Sequence, residues 1–567
     1  MGRQMKIAII DGYTDEPAGL GVPPYIDIYP RYIAGAIWSI EKSAEIHYIT
    51  VDQLREQLLK YFKLLEKMDV VIFIAGVIVP GKYIGGKPIE LDELKKWPLL
   101  LQKPIKILVG PAARFGFGIE GGKIAIRPKE FENFFDIVVR GDPELVIYNF
   151  LKMRKSLENI NPYLIKKDYK LTSIFAKKGA KIVKQHPNYK KNLIVEIETY
   201  RGCPRWVSGG CSFCIEPSYG KVIFRKPKEI VEEIRELYRN GVKNFRLGRQ
   251  ADFFTYLAKN INNEEYPKPN PNAIEKLFSM IHYAAPRIST LHIDNVNPST
   301  IYYHKEESIK IIKIILKYHT SGDVAAFGIE SADPTVIKQN NIGIFPEQAL
   351  EAIKIVNKYG SIRGPNGLPE LLPGINFVLG LLGETRKTLE YNITFLKEIL
   401  RNNLMIRRVN IREVLTLPST RMWNIGAKIV EKNSKYYTSF KKWVREKFDN
   451  TMLKRIVPKL TILRDLYVEK YFENYSIARQ AASYPLLVYV TEKIPLWKKI
   501  DVVVVDHKSR SIIAIPYPLN LNTASPISLK KIPGISKKQY AYILRHRPFK
   551  TFEEIKIDSN LKKYLTL

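Results

Sequence analysis

The sequence predicts an α/β protein of several domains, and three observations carry that expectation. Residues 1–150 alternate short β-branched runs with helical patterns. All three cysteines of the 567-residue chain, Cys203, Cys211 and Cys214, lie within twelve positions, directly after another strand-like run. The net charge of +33 falls entirely beyond residue 150, which sets a neutral head against a basic body.

The head opens with Lys6-Ile-Ala-Ile-Ile-Asp-Gly. Glu45-Ile-His-Tyr-Ile, Asp69-Val-Val-Ile-Phe-Ile-Ala-Gly, Ile105-Lys-Ile-Leu-Val-Gly and Asp136-Ile-Val-Val-Arg-Gly follow, with helical patterns such as 52–68 between them. Glycines where these strands empty into loops are expected where βα loops form a ligand crevice. A Rossmann-like (flavodoxin-like) domain over 1–150 is the reading, with Gly19-Leu-Gly-Val-Pro-Pro and Gly110-Pro-Ala-Ala as its ligand-facing loops.

Three thiols gathered on one loop, with none elsewhere, point to a metal. A closed zinc site takes four ligands, whereas an iron–sulfur cluster on three thiolates keeps one iron open. Zinc completed by a histidine, or thiols without metal, are the alternatives. The run Leu193-Ile-Val-Glu-Ile-Glu-Thr-Tyr reads as the strand leading into the cysteine loop, and Phe213 precedes the last cysteine. Further motifs follow in order: Asn244-Phe-Arg-Leu-Gly-Arg-Gln, Phe327-Gly-Ile-Glu-Ser-Ala-Asp-Pro, Asn376-Phe-Val-Leu-Gly-Leu-Leu-Gly-Glu-Thr and Leu417-Pro-Ser-Thr. Together these resemble the core of radical S-adenosylmethionine (SAM) enzymes over residues 191–425. The first gap between cysteines departs from that family's C-x3-C-x2-C pattern, since seven residues, Pro204 to Gly210, separate Cys203 from Cys211. The insertion ends in Ser208-Gly-Gly, which can bulge outward because glycine accepts positive φ.

The resemblance implies a partial (β/α) barrel of TIM type with its active centre at the strand C-termini. It implies a [4Fe–4S] cluster on Cys203, Cys211 and Cys214, SAM as cosubstrate, and generation of a 5′-deoxyadenosyl radical. It carries SAM contacts over to Phe213, Gly248, Arg249, Glu330, Ser331 and Asn376, and calls for an electron donor such as ferredoxin or flavodoxin. The head resembles the cobalamin-binding-like domain that precedes many such cores, with Arg140-Gly-Asp-Pro-Glu as its final turn. The D-x-H-x-x-G motif that gives cobalt a histidine is absent. Cobalamin binding and a retained domain that only shapes the active site both stay open.

Residues 151–190 carry 11 basic and 2 acidic side chains and read as a basic connector; residues 521–567 carry 10 and 3. Beyond the core, 426–519 reads as helical and basic, including 460–472, and then as strand-rich from 486. The tail, with Leu529-Lys-Lys-Ile-Pro-Gly-Ile-Ser and Ala541-Tyr-Ile-Leu-Arg-His-Arg-Pro-Phe, resembles a helix-hairpin-helix domain over 520–567. Such a hairpin would hold phosphate at a helix N-terminus, here through Pro533, Gly534, Ser536, Lys537, Lys538 and Arg545. The whole arrangement resembles a largely archaeal group of radical SAM proteins that end in this motif.

Composition narrows the function. A methylthiotransferase needs three further cysteines for a second cluster, and none remain. The same count excludes auxiliary clusters and a cysteine as methyl carrier. Thiols confined to one group fit a reducing cytoplasm, and no run of eighteen apolar residues calls for a membrane. The leading expectation is radical modification, such as methylation, of a nucleic acid, RNA (tRNA or rRNA) before DNA. A small-molecule or protein substrate, and a non-enzymatic zinc-bearing nucleic-acid-binding protein, are the competing readings.

Overall fold

A computed structural model of the chain describes residues 4–16, 19–77, 83–153 and 156–567. Five parallel strands, β1 (Lys6–Asp11), β2 (Glu45–Thr50), β3 (Val70–Ile74), β4 (Ile105–Val109) and β5 (Ile137–Val138), build the N-terminal sheet in the order β2-β1-β3-β4-β5. Flavodoxin-like doubly wound sheets share this order, and their ligands bind beyond the strand C-termini where the order reverses. Alternation along β1 sends Ile7 and Ile9 into the main core and Ala8 and Ile10 into a second core on the other face. The helix expected over 52–68 is split in two, Val51–Glu56 and Leu58–Leu65.

The central sheet consists of β6 (Ile194–Glu198), β7 (Asn244–Gly248) and β8 (Thr290–Ile293), followed by β9 (Asp323–Glu330), β10 (Leu371–Leu379) and β11 (Arg408–Glu413). Each trio is parallel, and a parallel bridge from Asn295 to Ala326 links them into one open, curved wall. The N-terminal segment completes it. Tyr25 and Ile26 pair in parallel with Ile194 and Val195 at the edge of β6. Helix α1 (Ile28–Ile40) then runs back, and its Arg31 lies fully buried against Glu233, which Arg225 contacts from the other side at 2.6 Å. Head and barrel therefore share a strand and a buried ion network.

The basic connector contains a helix, α2 (Lys170–Gly179), packed along α1. Part of its charge is internal, because Lys166 is buried between Glu144 at 3.3 Å and Glu198 at 3.2 Å.

One expectation beyond the core is corrected. Residues 460–472 read as a helix, but Ile462–Phe472 forms β12. Its register shifts between Leu463 and Leu466 and again between Val468 and Lys470. The first bulge spaces two inward residues three apart instead of two, which imitates a helical period. With β13 (Tyr475–Gln480), β14 (Leu487–Val490), β15 (Lys499–His507) and β16 (Ser511–Tyr517) it closes a five-stranded barrel in the order β12-β13-β14-β16-β15. Against its outer face pack the terminal helices α3 (Pro526–Lys531) and α4 (Lys537–His546), joined through Gly534 at φ 79°. Among the described residues no helix is long and apolar enough to cross a membrane.

Candidate active site

A cavity of about 910 Å³ lies where the three parts meet. From the barrel it takes Cys203, Cys211, Cys214, Phe213, Glu330 and Asn376. From the head it takes Val22, Pro23, Pro24, Val77, Tyr83 and Ile84, an apolar wall without histidine or cysteine. From the C-terminal barrel it takes Lys470, Arg479, Tyr484 and Arg510.

The cysteine loop turns outward at residues 207–209, which are exposed, while the first inserted residues, Pro204 and Arg205, are buried. Pro204–Ser208 winds into a 3-10 helix, and Gly209 (φ 81°) and Gly210 (φ 63°) turn the chain back to Cys211. A Cβ on Gly210 would sit 2.2 Å from Pro217 Cγ, so a side chain there has neither the space nor the backbone conformation. The short helix buries Arg205, which sequence reasoning missed. Its Nη1 donates to Cys211 Sγ at 3.1 Å, Nε to Glu265 at 2.8 Å and Nη2 to the Asn341 carbonyl at 2.7 Å. An arginine inside the insertion between Cys203 and Cys211 was the available signal.

The donor set fits a [4Fe–4S] cluster. Among the described residues no three His, Cys, Asp or Glu side chains close on a point as the ligands of one metal ion do. Three thiols that line one cavity suit a cluster in which each sulfur has its own iron. Burial pushes Cys203 up to about 12 and raises Cys211 and, further, Cys214. Arg205 opposes the rise at Cys203 and Cys211, and coordination to metal removes the proton outright.

Glu330 ends β9 in the left-handed region, φ 63°, at a bulge that leaves the Gly328 backbone exposed to the cavity. Burial raises its carboxyl to about 8, with Arg412 pulling the other way. Asn376 lies in the middle of β10, not at its end, and accepts from Asn410 at 3.3 Å. Asp252, after β7, also faces the cavity; burial raises it to about 6 against the hydrogen bond from Thr300 at 2.6 Å.

Three of the expected SAM contacts sit apart from this cavity wall. Arg249 (φ 60°) turns back to the head, where it donates to Tyr29 at 2.9 Å and Asp27 at 3.4 Å. Gly248 packs against the Glu196–Arg246 ion pair. Ser331 is buried and accepts from the Asp333 backbone at 3.2 Å. Of the two ligand-facing loops, Val22 to Pro24 reach the cavity, whereas Gly110 lines a separate small cleft beside Arg114 and Asp142.

In the tail, Ser536, Lys537 and Lys538 are exposed beside the turn through Pro533 and Gly534, whereas Arg545 is exposed at the other end of α4, in its last turn. Ser536 caps α4. Its N–H goes to the Gln539 side chain at 2.9 Å and its Oγ accepts the Gln539 N–H at 3.2 Å. Serine in place of a second glycine thus occupies two donors with a capping box, and the anion-facing end of α4 is left to the first helical N–H groups and the two lysines.

The radical SAM superfamily model matches residues 197–396. An uncharacterized protein of Methanocaldococcus jannaschii is 48% identical over 89% of this chain and 92% of its own length. One from Archaeoglobus fulgidus is 43% identical over 94% and 93%. A tRNA-2-methylthio-N(6)-dimethylallyladenosine synthase of Buchnera aphidicola is 26% identical over 54% of this chain and 62% of that one. Among solved structures, the radical SAM methyltransferase TsrM from Kitasatospora setae, with cobalamin and [4Fe-4S] cluster bound, superposes with a TM-score of 0.50 at 11% identity over 74% of this chain and 77% of that one. At that identity the likeness is one of fold.

Proposed function

We propose that the chain, which carries a radical SAM domain over residues 197–396, modifies a nucleic acid, RNA before DNA, by a reaction of the methylation class. The observation that carries this reading is the composition of the cavity, with thiols at one wall and cations at another. The cofactors of the superfamily are a [4Fe–4S] cluster and SAM, which when bound supply a 5′-deoxyadenosyl radical.

The chain's own residues divide the remaining work. Cys203, Cys211 and Cys214 would hold the cluster, and Arg205 orients Cys211. Glu330, Asn376 and Phe213 line the same cavity as the thiols and are the residues this reading gives to SAM. The apolar loops of the head exclude water. Their lack of a histidine also suits a corrinoid held without a protein ligand to cobalt, and cobalamin is the methyl carrier this reading favours. Arg407, Arg408 and Arg412, on or next to β11, line the cavity as an anionic substrate would require. Lys537, Lys538 and Arg545 add basic charge on the terminal hairpin, where phosphate backbone would be held without base reading. The tRNA enzyme among the relatives supports a tRNA substrate. An electron donor such as ferredoxin or flavodoxin completes the system.

The test is anaerobic reconstitution with iron and sulfide, with and without cobalamin, then reduction with SAM carrying a labelled methyl group. Release of 5′-deoxyadenosine, lost in Cys214→Ala, together with label in tRNA or rRNA, is the expected result. Release of 5′-deoxyadenosine with no label in any nucleic acid, under either condition, rejects the substrate.

A further inference from the structure

The C-terminal barrel has a more specific topology than five strands in a ring. Its first strand, β12, pairs antiparallel with β13 and with β15. The third and fifth, β14 and β16, pair in parallel, and the remaining pairs are antiparallel. A closed five-stranded barrel of this order is an OB-type Greek key, a fold that binds oligonucleotides or oligosaccharides on the face of strands two and three, between the first and last hairpin loops.

Those places carry the side chains that single strands need. Phe472, at the first hairpin, is 48% exposed. Its ring lies 6.0 Å from that of Tyr489 on the third strand, and Tyr475 on the second strand lies 5.9 Å from Tyr489. Lys508, in the last hairpin, holds its ammonium 3.8 Å from the Tyr489 ring centre. An aromatic group with a fixed cation suits stacked bases on a charged backbone, and the charge favours a polyanion over a neutral sugar.

The same two hairpins reach the active site. Two residues before Phe472 stands Lys470, and two residues after Lys508 stands Arg510; both are exposed and both line the cavity, which places them at its rim. Inside are Arg407 and Arg408. Arg407 Nε is enclosed without a hydrogen-bond partner, and burial next to Arg408 and Arg510 lowers the guanidinium to about 10. Of the acids around them, Asp449 is engaged with Arg510 at 3.4 Å, and Asp294, which acts on Arg408, is held by Arg246 and by the Tyr484 hydroxyl at 2.8 Å. Arg407, Arg408 and Arg510 thus stand close enough to depress one another, and all three line the cavity.

We propose that Phe472, Tyr475, Tyr489 and Lys508 hold a single-stranded nucleic acid and that the Lys470–Arg510 rim admits one of its nucleotides toward Arg407 and Arg408. The inference rests on the nucleic-acid reading above and narrows it to unpaired strands. A single strand is also what the cavity demands, because a base stacked inside a duplex cannot enter an enclosed site without being extruded.

The experiment uses the full-length protein and fluorescently labelled 20-mers of uridylate and of thymidylate, each alone and in duplex with its complement. Anisotropy titrations at several salt concentrations give affinity and salt slope. Phe472→Ala is expected to weaken single-strand binding about tenfold, within the ~1–3 kcal/mol that base–aromatic stacking contributes. Lys508→Gln should flatten the salt slope by ~0.7. Neither should change duplex binding, which the hairpin variant Lys537→Gln/Lys538→Gln should weaken. Tighter binding of one of the two single strands identifies RNA or DNA as the ligand. Single-strand affinity that survives both Phe472→Ala and Lys508→Gln but falls in the hairpin variant overturns the platform and leaves the nucleic-acid reading standing. A wild-type protein that binds neither strands nor duplexes overturns both.

Discussion

Replacing Arg205 with glutamine isolates one contact at the cluster loop. The guanidinium is fixed on two sides, by Glu265 at 2.8 Å and the Asn341 carbonyl at 2.7 Å, so its third donor meets Cys211 Sγ at 3.1 Å without freedom to drift. A hydrogen bond to a charged group contributes ~1.5–3 kcal/mol. That range corresponds to the 10–100-fold effect typical of residues that orient a metal ligand. Glu265 is half-buried, can recover water on its exposed side, and adds little. Arg205→Gln should therefore hold iron 10–100-fold less tightly against a chelator and release 5′-deoxyadenosine more slowly, at an unchanged melting temperature. Arg205→Lys, which keeps the charge but has one nitrogen for three partners, should fall between. The readouts are iron per chain after chelator challenge, 5′-deoxyadenosine rate and thermal melting. A glutamine variant with wild-type iron retention and rate would refute the assignment and reduce Arg205 to loop packing.

Two further predictions concern the joint between head and barrel. Glu233→Gln leaves Arg31 and Arg225 buried without their shared carboxylate; breaking a buried pair in this way costs ~3–5 kcal/mol, so melting should fall by several degrees, and a change under about 2 °C would show that the network is not stabilising. His186 is buried with Nδ1 accepting from the Asn188 N–H at 3.0 Å, and burial, with Lys191, lowers it to about 3. The unfolded chain protonates this histidine near pH 6.5, so stability should fall as pH drops from there toward 3, by up to ~1.4 kcal/mol per unit. His186→Phe should melt lower at neutral pH yet show a shallower acid limb, and an unchanged limb would assign the acid sensitivity elsewhere.

Sequence patterns are legible where one residue's neighbours along the chain decide its environment. The runs at the centre of the head became parallel strands because they are apolar on both faces, as in β3, which is buried throughout, and β1, which divides its side chains between two cores. The three cysteines were legible because thiols are rare in this chain and the motif is local. Arg249 shows the limit. Its motif position follows β7 closely, but its direction depends on Asp27 and Tyr29, more than two hundred residues earlier, which draw it toward α1. Residues 460–472 show another limit, since two bulges altered the spacing that distinguishes strand from helix. The closed order of the C-terminal barrel is a pairing property with no counterpart in local periodicity.

Each part of the molecule gives the cavity a different chemistry, and the charge distribution follows from that division. The head is neutral over residues 1–150 and contributes apolar loops. The barrel contributes the thiols, and the C-terminal barrel contributes cations at the rim. At about 910 Å³ the cavity lies at the upper end of small-ligand pockets. It is too small for a polymer to enter whole. Affinity for a polymeric substrate must then reside outside the cavity, and only outside it can an excess of +33 act over many phosphates. Binding energy from that remote contact can be used to position the one nucleotide that reacts. On the nucleic-acid reading, this gives a use to the exposed Phe472 and Lys508, which stand within two residues of the rim side chains Lys470 and Arg510.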